Sequence, residues 1–411
     1  MAACGQRSSA MSATDAPIYL DHHATTRVDP RVVAAMAPLW AEQLGNASNP
    51  HHLPARRAAD LIDQARAEVA ALLHADPREV IFTSGATEAN NLAVLGVVRA
   101  SPPHSHLIVS AVEHASVLEP ARRLQREGYE ATIVPVDRQG RVAVDEVAKA
   151  LTPRTVLVSI MTANNEVGTI QPVGEIAALC ARQGVVFHTD AVQSPLMAAA
   201  ACREVPADLV SLSAHKIYGP VGVGALLVRR KTPRIVLQPL MFGGGQEHRQ
   251  RPGTSPTPLI AGFGVACRLL RESHPTESQH LERLRNQLWR RLQAGIPGVI
   301  RNGDPLHGLP GNLHVSIPEV DGDALLARLT RVAVSSGAAC SAGDHRLSHV
   351  PLAMGIPEAL ARASLRFGIG RFNTPEDIDR AADAVIEVVQ RLRAARRGHA
   401  GEEAGSFPSS A

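Results

Sequence analysis

Lys216 sits in a setting that a surface lysine does not need. It closes Ser211-Leu212-Ser213-Ala214-His215-Lys216, behind an apolar run, and is followed by Ile217-Tyr218-Gly219-Pro220 with further glycines at 222 and 224. In a desolvated pocket a lysine amine loses its proton more readily and can form a Schiff base, and the glycines would keep the loop open for a flat ring. Thr83-Ser84-Gly85-Ala86-Thr87-Glu88 follows an apolar run and opens a helical pattern. Backbone N–H groups at such a start bind phosphate, although a plain capped helix has the same signature. In His188-Thr189-Asp190-Ala191-Val192-Gln193 the carboxylate stands just past a strand-like run. There it can hold a ring nitrogen protonated or simply cap a helix.

A fourth candidate is Cys340, set among the small residues of Ser335-Ser336-Gly337-Ala338-Ala339-Cys340-Ser341-Ala342-Gly343. That is poor surroundings for a core thiol and suits a nucleophile that must travel. Cys180, Cys202 and Cys267 lie in apolar, helix-like stretches, where packing is the default role. A rival reading joins Cys340 to His345 and His349 as metal ligands, but supplies only three. No metal is therefore expected. The doublets His22-His23 and His51-His52 read either as exposed pairs or as loops near a site.

These residues need a scaffold, and the sequence describes one. Between residues 80 and 228 short β-branched runs at 80–82, 107–109, 132–134, 156–160, 185–187, 209–211 and 224–228 alternate with helical stretches. The alternation predicts an α/β fold with a mostly parallel central sheet flanked by helices. Helical spacing predicts helices over 31–42 and 55–73. Around Ser273 the pattern changes to a long polar helix, short strands and a closing helix over 375–393, which reads as a smaller α+β C-terminal domain. The expected division is a disordered extension over 1–16, a large domain over 17–272 whose segment 17–30 packs on the small domain, a small domain over 273–397, and a disordered tail from 398. Met11 is an alternative start.

Composition bounds the partners. Aromatics are 3% of 411 residues and the formal charge is +3, so neither a base-stacking platform nor a basic stripe is present; direct nucleic-acid binding is not expected. The five cysteines form no CxxC pair, no apolar run reaches about 20 residues, and the N-terminal stretch has no signal-peptide core. A reducing, cytoplasmic location away from the membrane follows as the expectation.

In combination the motifs resemble the cysteine desulfurases of the class V aminotransferase group, which have the type I pyridoxal-phosphate fold. The resemblance runs over 18–379 and rests on residues 19–26, 45–52, 83–91, 164–168, 211–219, 243–254, 335–340 and 366–371, in family order. It implies that Lys216 carries pyridoxal 5'-phosphate, that Asp190 faces the pyridine nitrogen, that Gln193 donates to the ring oxygen, and that His114 stacks on the ring and moves protons. Ala86, Thr87, Ser213 and His215 match phosphate ligands. Thr254 matches one supplied by a partner subunit, which implies a homodimer with shared active sites. Asn165 and Arg366 match residues that grip the carboxylate of L-cysteine. Cys340 matches the acceptor of sulfur, held as a persulfide and passed to a sulfur-acceptor protein such as an iron-sulfur cluster scaffold.

The sequence departs from the family at His248 and Arg249, the latter standing where glycine is usual, which puts the shape of that loop in doubt. Residues 343–347 are more charged than usual, so acceptor choice could differ. Selenocysteine lyase, cysteine sulfinate desulfinase and other carbon–sulfur lyases share the ring-holding parts. A non-catalytic sulfur-relay partner is the alternative of another class.

Overall fold

All seven β-branched runs become strands of one sheet. The computed structural model describes residues 16–42, 45–193, 206–336 and 347–404. After a short β1 (Ile18–Tyr19), the sheet comprises β2 (Val80–Thr83), β3 (His106–Ser110), β4 (Glu130–Val134), β5 (Thr155–Ser159), β6 (Val186–Asp190), β7 (Leu209–Ser213) and β8 (Gly224–Val228), in the order β2-β8-β7-β6-β5-β3-β4. Pairing is parallel from β4 through β7, whereas β8 runs antiparallel to both neighbours. The C-terminal ends of β2, β6 and β7 therefore lie at the same edge, where open α/β sheets hold ligands. Apart from the edge strand β4, whose Glu130 and Ile133 are exposed, the strands are buried on both faces, as the near-continuous apolar runs require.

One face of the sheet packs Phe82, Phe187 and Val210 with Phe263; the other packs Leu107, Val109 and Leu226 with Leu92. Helix α1 (Pro30–Ala41) starts at Asp29, whose side chain accepts from Arg31 N, and α2 (Leu53–Leu72) starts at His52, which accepts from Ala55 N. Helices α3 (Ala86–Arg99) and α4 (Ala115–Arg126) carry the site residues.

A separate apolar cluster gathers Leu281, Leu284, Leu288 and Leu292 with Phe367 and Val385. It covers an antiparallel sheet of β9 (Ile300–Asn302), β10 (Asn312–Ser316) and β12 (Ser364–Gly368), in the order β12-β10-β9. β1 pairs in parallel with β11 (Val332–Ala333) beside it. A single helix of 39 residues, Thr257–Gly295, serves both clusters: its first half buries Ile260, Phe263 and Leu270 in one, its second half the leucine stripe in the other. The closing helix Pro375–Ala404 runs past the end at Arg393 and the tail boundary at Gly398 expected from the sequence. Ala400, Glu402, Glu403 and Ala404 favour helix, and extending an existing helix is far cheaper than starting one.

Candidate active site

The turns after β2, β6 and β7 enclose a cavity of about 430 Å³, lined among others by Gly85, Asp190, Lys216, His114, Asn165 and Arg366. Gly85 lets the chain turn from β2 into α3. Its φ of +154° and ψ of −179° are essentially open only to glycine. Opposite it, a Cβ on Gly224 would come within 2.8 Å of the Gly85 backbone, so two glycines let β8 approach the turn. Of the three glycines near Lys216 read as keeping the loop open, Gly222 lines the cavity. Gly219 and Gly224 instead make room for neighbouring backbone.

Helix α3 begins with no side-chain cap, which leaves its first N–H groups, at Ala86 and Thr87 in the cavity wall, for an anion. Glu88 would oppose an anion there, but it accepts from Ser84 N and pairs with Arg251 at 2.9 Å. Ser213 and His215 line the same wall. Burial first, then the charge of Lys216, push the His215 imidazole down to about 4. Lys216 ends the single turn Ala214–Lys216, and its Nζ donates to the carbonyl oxygens of His23 at 2.5 Å and Ala24 at 2.9 Å.

Asp190 is buried at the end of β6. Its Oδ1 accepts from Val192 N, and its Oδ2 accepts from Asn90 Nδ2 at 2.7 Å. Asn90 also donates to Ser116 Oγ at 2.8 Å, and Ser116 Oγ lies 2.8 Å from His114 Nδ1. Sequence reasoning missed both Asn90 and Ser116. The polar residues at 90 and 91, interrupting an apolar helix face, were the available signal.

The histidine doublets separate. His51 and His52 are exposed, whereas His22 and His23 are buried, contrary to the exposed-pair reading, because their loop is pinned beneath β12. His23 and Gln193 bind reciprocally: Nδ1 of His23 lies 3.0 Å from Gln193 Oε1, and Gln193 Nε2 donates to the His23 carbonyl oxygen at 3.2 Å. Both bonds hold only with the amide oxygen toward the imidazole, which leaves one Gln193 N–H unspent. Burial holds His23 neutral, pushed down to about 3.

At the far wall the fully buried Arg366 donates from Nη2 to Asp21 Oδ1 at 2.8 Å and from Nη1 to the Asn165 carbonyl oxygen at 3.3 Å. Ser335 Oγ donates to the other Asp21 oxygen. Next to Asn165, burial pushes the Glu166 carboxyl up to about 7, and Ser348 Oγ donates to it at 2.7 Å.

Lys216, Asp190, Gln193, His114, Ala86, Thr87, Ser213, His215, Asn165 and Arg366 thus share one cavity. Thr254 is exposed and outside that lining. Cys340 and His345 lie outside the described residues. His349, the third residue of the metal reading, has Nε2 at 2.9 Å from the Glu113 carbonyl oxygen.

The aminotransferase class-V family model matches residues 18–381. A protein named cysteine desulfurase IscS from Anaeromyxobacter sp. (strain Fw109-5) is 46% identical over 378 residues, spanning 92% of this chain and 93% of the relative. Among solved structures, a NifS-like protein superposes with a TM-score of 0.85 at 33% identity, over 92% of this chain and all of the other. One described as SspA in complex with cysteine gives a TM-score of 0.75 at 34% identity, over 87% of this chain and 99% of the other.

Proposed function

Because the chain belongs to the class-V aminotransferase family, and within it is a cysteine desulfurase, we propose that it holds pyridoxal 5'-phosphate in the cavity around Lys216 and moves sulfur from L-cysteine through Cys340. The observation that carries this reading is the meeting, in one cavity, of the Lys216 amine, the Asp190 carboxylate and the uncapped start of α3. A single group bearing an aldehyde, a basic ring nitrogen and a phosphate answers all three. When bound, it supplies an electron sink for a carbanion at the substrate α-carbon.

The chain's own residues then divide the work. Lys216 would attach the cofactor, and the His23 and Ala24 carbonyl oxygens hold its amine in the cavity. Asp190 would hold the ring nitrogen, and the unspent N–H of Gln193 would be available to the ring oxygen. The α3 N–H groups at Ala86 and Thr87, with Ser213 and His215, receive the phosphate. Thr254 reaches the phosphate of a second subunit, so the working unit is a homodimer with shared active sites. Asn165 and the Arg366 fork would hold the substrate carboxylate, and His114, in the same cavity wall, would pack against the ring.

Cys340 thiolate attacks the substrate sulfur: the carbon–sulfur bond breaks, a sulfur–sulfur bond forms, and the carbon takes a proton. L-Cysteine leaves as L-alanine and Cys340 becomes a persulfide, to be passed to an acceptor protein such as an iron-sulfur scaffold. The cytoplasm is the proposed compartment; among the described residues no helix is long and apolar enough to cross a membrane. Selenocysteine lyase, other carbon–sulfur lyases and a non-catalytic sulfur relay gain no support from the relatives.

The test is to supply L-cysteine to purified protein and follow alanine, absorbance and the mass of the Cys340 peptide. Lys216→Ala is expected to remove both the visible band and alanine formation. Cys340→Ala is expected to keep the band and lose the persulfide. A persulfide-free Cys340 in wild-type enzyme that still forms alanine would overturn its role.

A further inference from the structure

A chain of hydrogen bonds runs from the carboxylate at the end of β6 to the imidazole at the head of α4. Asn90, fully buried on α3, gives one amide hydrogen to Asp190 Oδ2 and the other to Ser116 Oγ, which uses both its donors. Ser116 Oγ, having accepted from Asn90, has its own hydrogen to give to His114 Nδ1, 2.8 Å away. The Ser116 backbone N–H points at the same Nδ1 from 3.1 Å and can only donate. A nitrogen that receives a backbone N–H carries no hydrogen, so the neutral ring keeps its proton on Nε2. With Nδ1 spent on the helix cap, the Nε2 edge is what His114 offers the cavity it lines.

We propose that Asn90 and Ser116 are positioning residues that lock His114 into the neutral tautomer with its hydrogen on Nε2 and tie it to Asp190. The inference deepens the proposed function and rests on its reading of His114 and Asp190 as residues that contact the cofactor ring. His114 then presents a hydrogen-bond donor to the reacting side and keeps its basic nitrogen turned away. Protonating Nδ1 would set one N–H against another, so the same chain opposes the imidazolium.

Three other titratable groups bear on the ring: Asp190 from β6, Lys216 after β7, and His349 from the short helix His349–Ala353. Burial lowers the His114 pKa, Asp190 raises it and Lys216 lowers it again. None of these is changed by removing the Ser116 hydroxyl, which isolates the effect of the chain.

Hydrogen–deuterium exchange at histidine Cε1, read by mass spectrometry on the cofactor-loaded enzyme, gives the His114 midpoint independently of turnover. Ser116→Ala is expected to raise that midpoint by about one pH unit and to move the acid limb of alanine formation upward with it. Asn90→Ala, which frees the Ser116 hydroxyl to turn away, is expected to shift it in the same direction, and Ser116→Thr to restore it. His188, buried with its own partners Ser159 and Ser211, is the unmoved control. An unchanged His114 midpoint in whichever of the two alanine variants folds overturns the proposal, even if alanine formation falls. A raised midpoint in protein that forms no alanine from cysteine upholds the relay and overturns the functional reading instead.

Discussion

Arg366 answers to two carboxylates, one in the protein and one proposed in the substrate. Its planar fork can serve Asp21 with one nitrogen while presenting another to L-cysteine; an ammonium at the same place is a point charge that Asp21 captures. Arg366→Lys is accordingly expected to raise KM for L-cysteine by roughly 10- to 100-fold, the loss of about 1.5–3 kcal/mol of charge-assisted bonding. The visible band should survive, because Lys216 and Asp190 keep their own partners. Steady-state kinetics beside an absorbance spectrum checks this, and loss of the band would contradict it. At this scale the sequence was most legible where a residue looked out of place, as Lys216 did between a strand and a run of glycines. It was least legible where the meaning lies in pairing: Asn90 and Asp190 are 100 positions apart, and no periodicity joins a buried amide to the carboxylate it serves. His23 was obscured for the same reason, since only the fold shows that Gln193 and Lys216 lean on it.

Among the elements, the loop carrying the family departures keeps a demanding shape. Glu247, His248 and Arg249 all have positive φ, of 46°, 56° and 66°. The turn is anchored by Glu247, whose carboxylate pairs with Arg66 at 2.8 Å and accepts from Phe82 N on β2. A left-handed residue other than glycine costs about 1–2 kcal/mol, partly offset by glycine's greater entropy loss on folding. Arg249→Gly is therefore expected to stabilise the protein by about 0.5–1 kcal/mol, read by urea unfolding at fixed protein concentration. Destabilisation would mean that the exposed arginine makes a contact outside this chain. The strands were legible because each is a short β-branched run, and all but the edge strand β4 are buried on both faces. The reversal of β8 was not, because residue types record burial and not direction. The long helix was seen only around Ser273, where its polar face dominates; its start at Thr257 is hidden in apolar residues that serve the first core.

For the whole molecule, buried groups of both kinds set the pH range of stability. Burial foremost lifts Glu113 to about 8 and Glu166 to about 7, from an ordinary 4.5. Burial also pushes His22 and His215 down to about 4, and His23, His188 and His314 to about 3, from 6.5. Below pH 6.5 the unfolded chain binds protons at these histidines that the fold refuses, so stability falls with acid. Between 4.5 and 8 the fold holds protons on the two acids that the unfolded chain releases, so stability falls as pH rises. Five histidines outweigh two acids on the acid side, and above 6.5 the acids act alone. Thermal midpoints are expected to peak near pH 6.5. Glu113→Gln, which keeps the acceptor for Ser110 and Met161 without an ionisable group, should flatten the decline toward pH 8. An unaltered decline in that variant would show that the buried acid is not its source.

The ion pair between Asp21 and Arg366 carries a consequence for synthesis. One partner is synthesised 345 residues before the other. A nascent chain can therefore assemble the sheet while its pocket still lacks a wall. Fragments that stop short of Arg366 would lack the grip proposed for the substrate carboxylate.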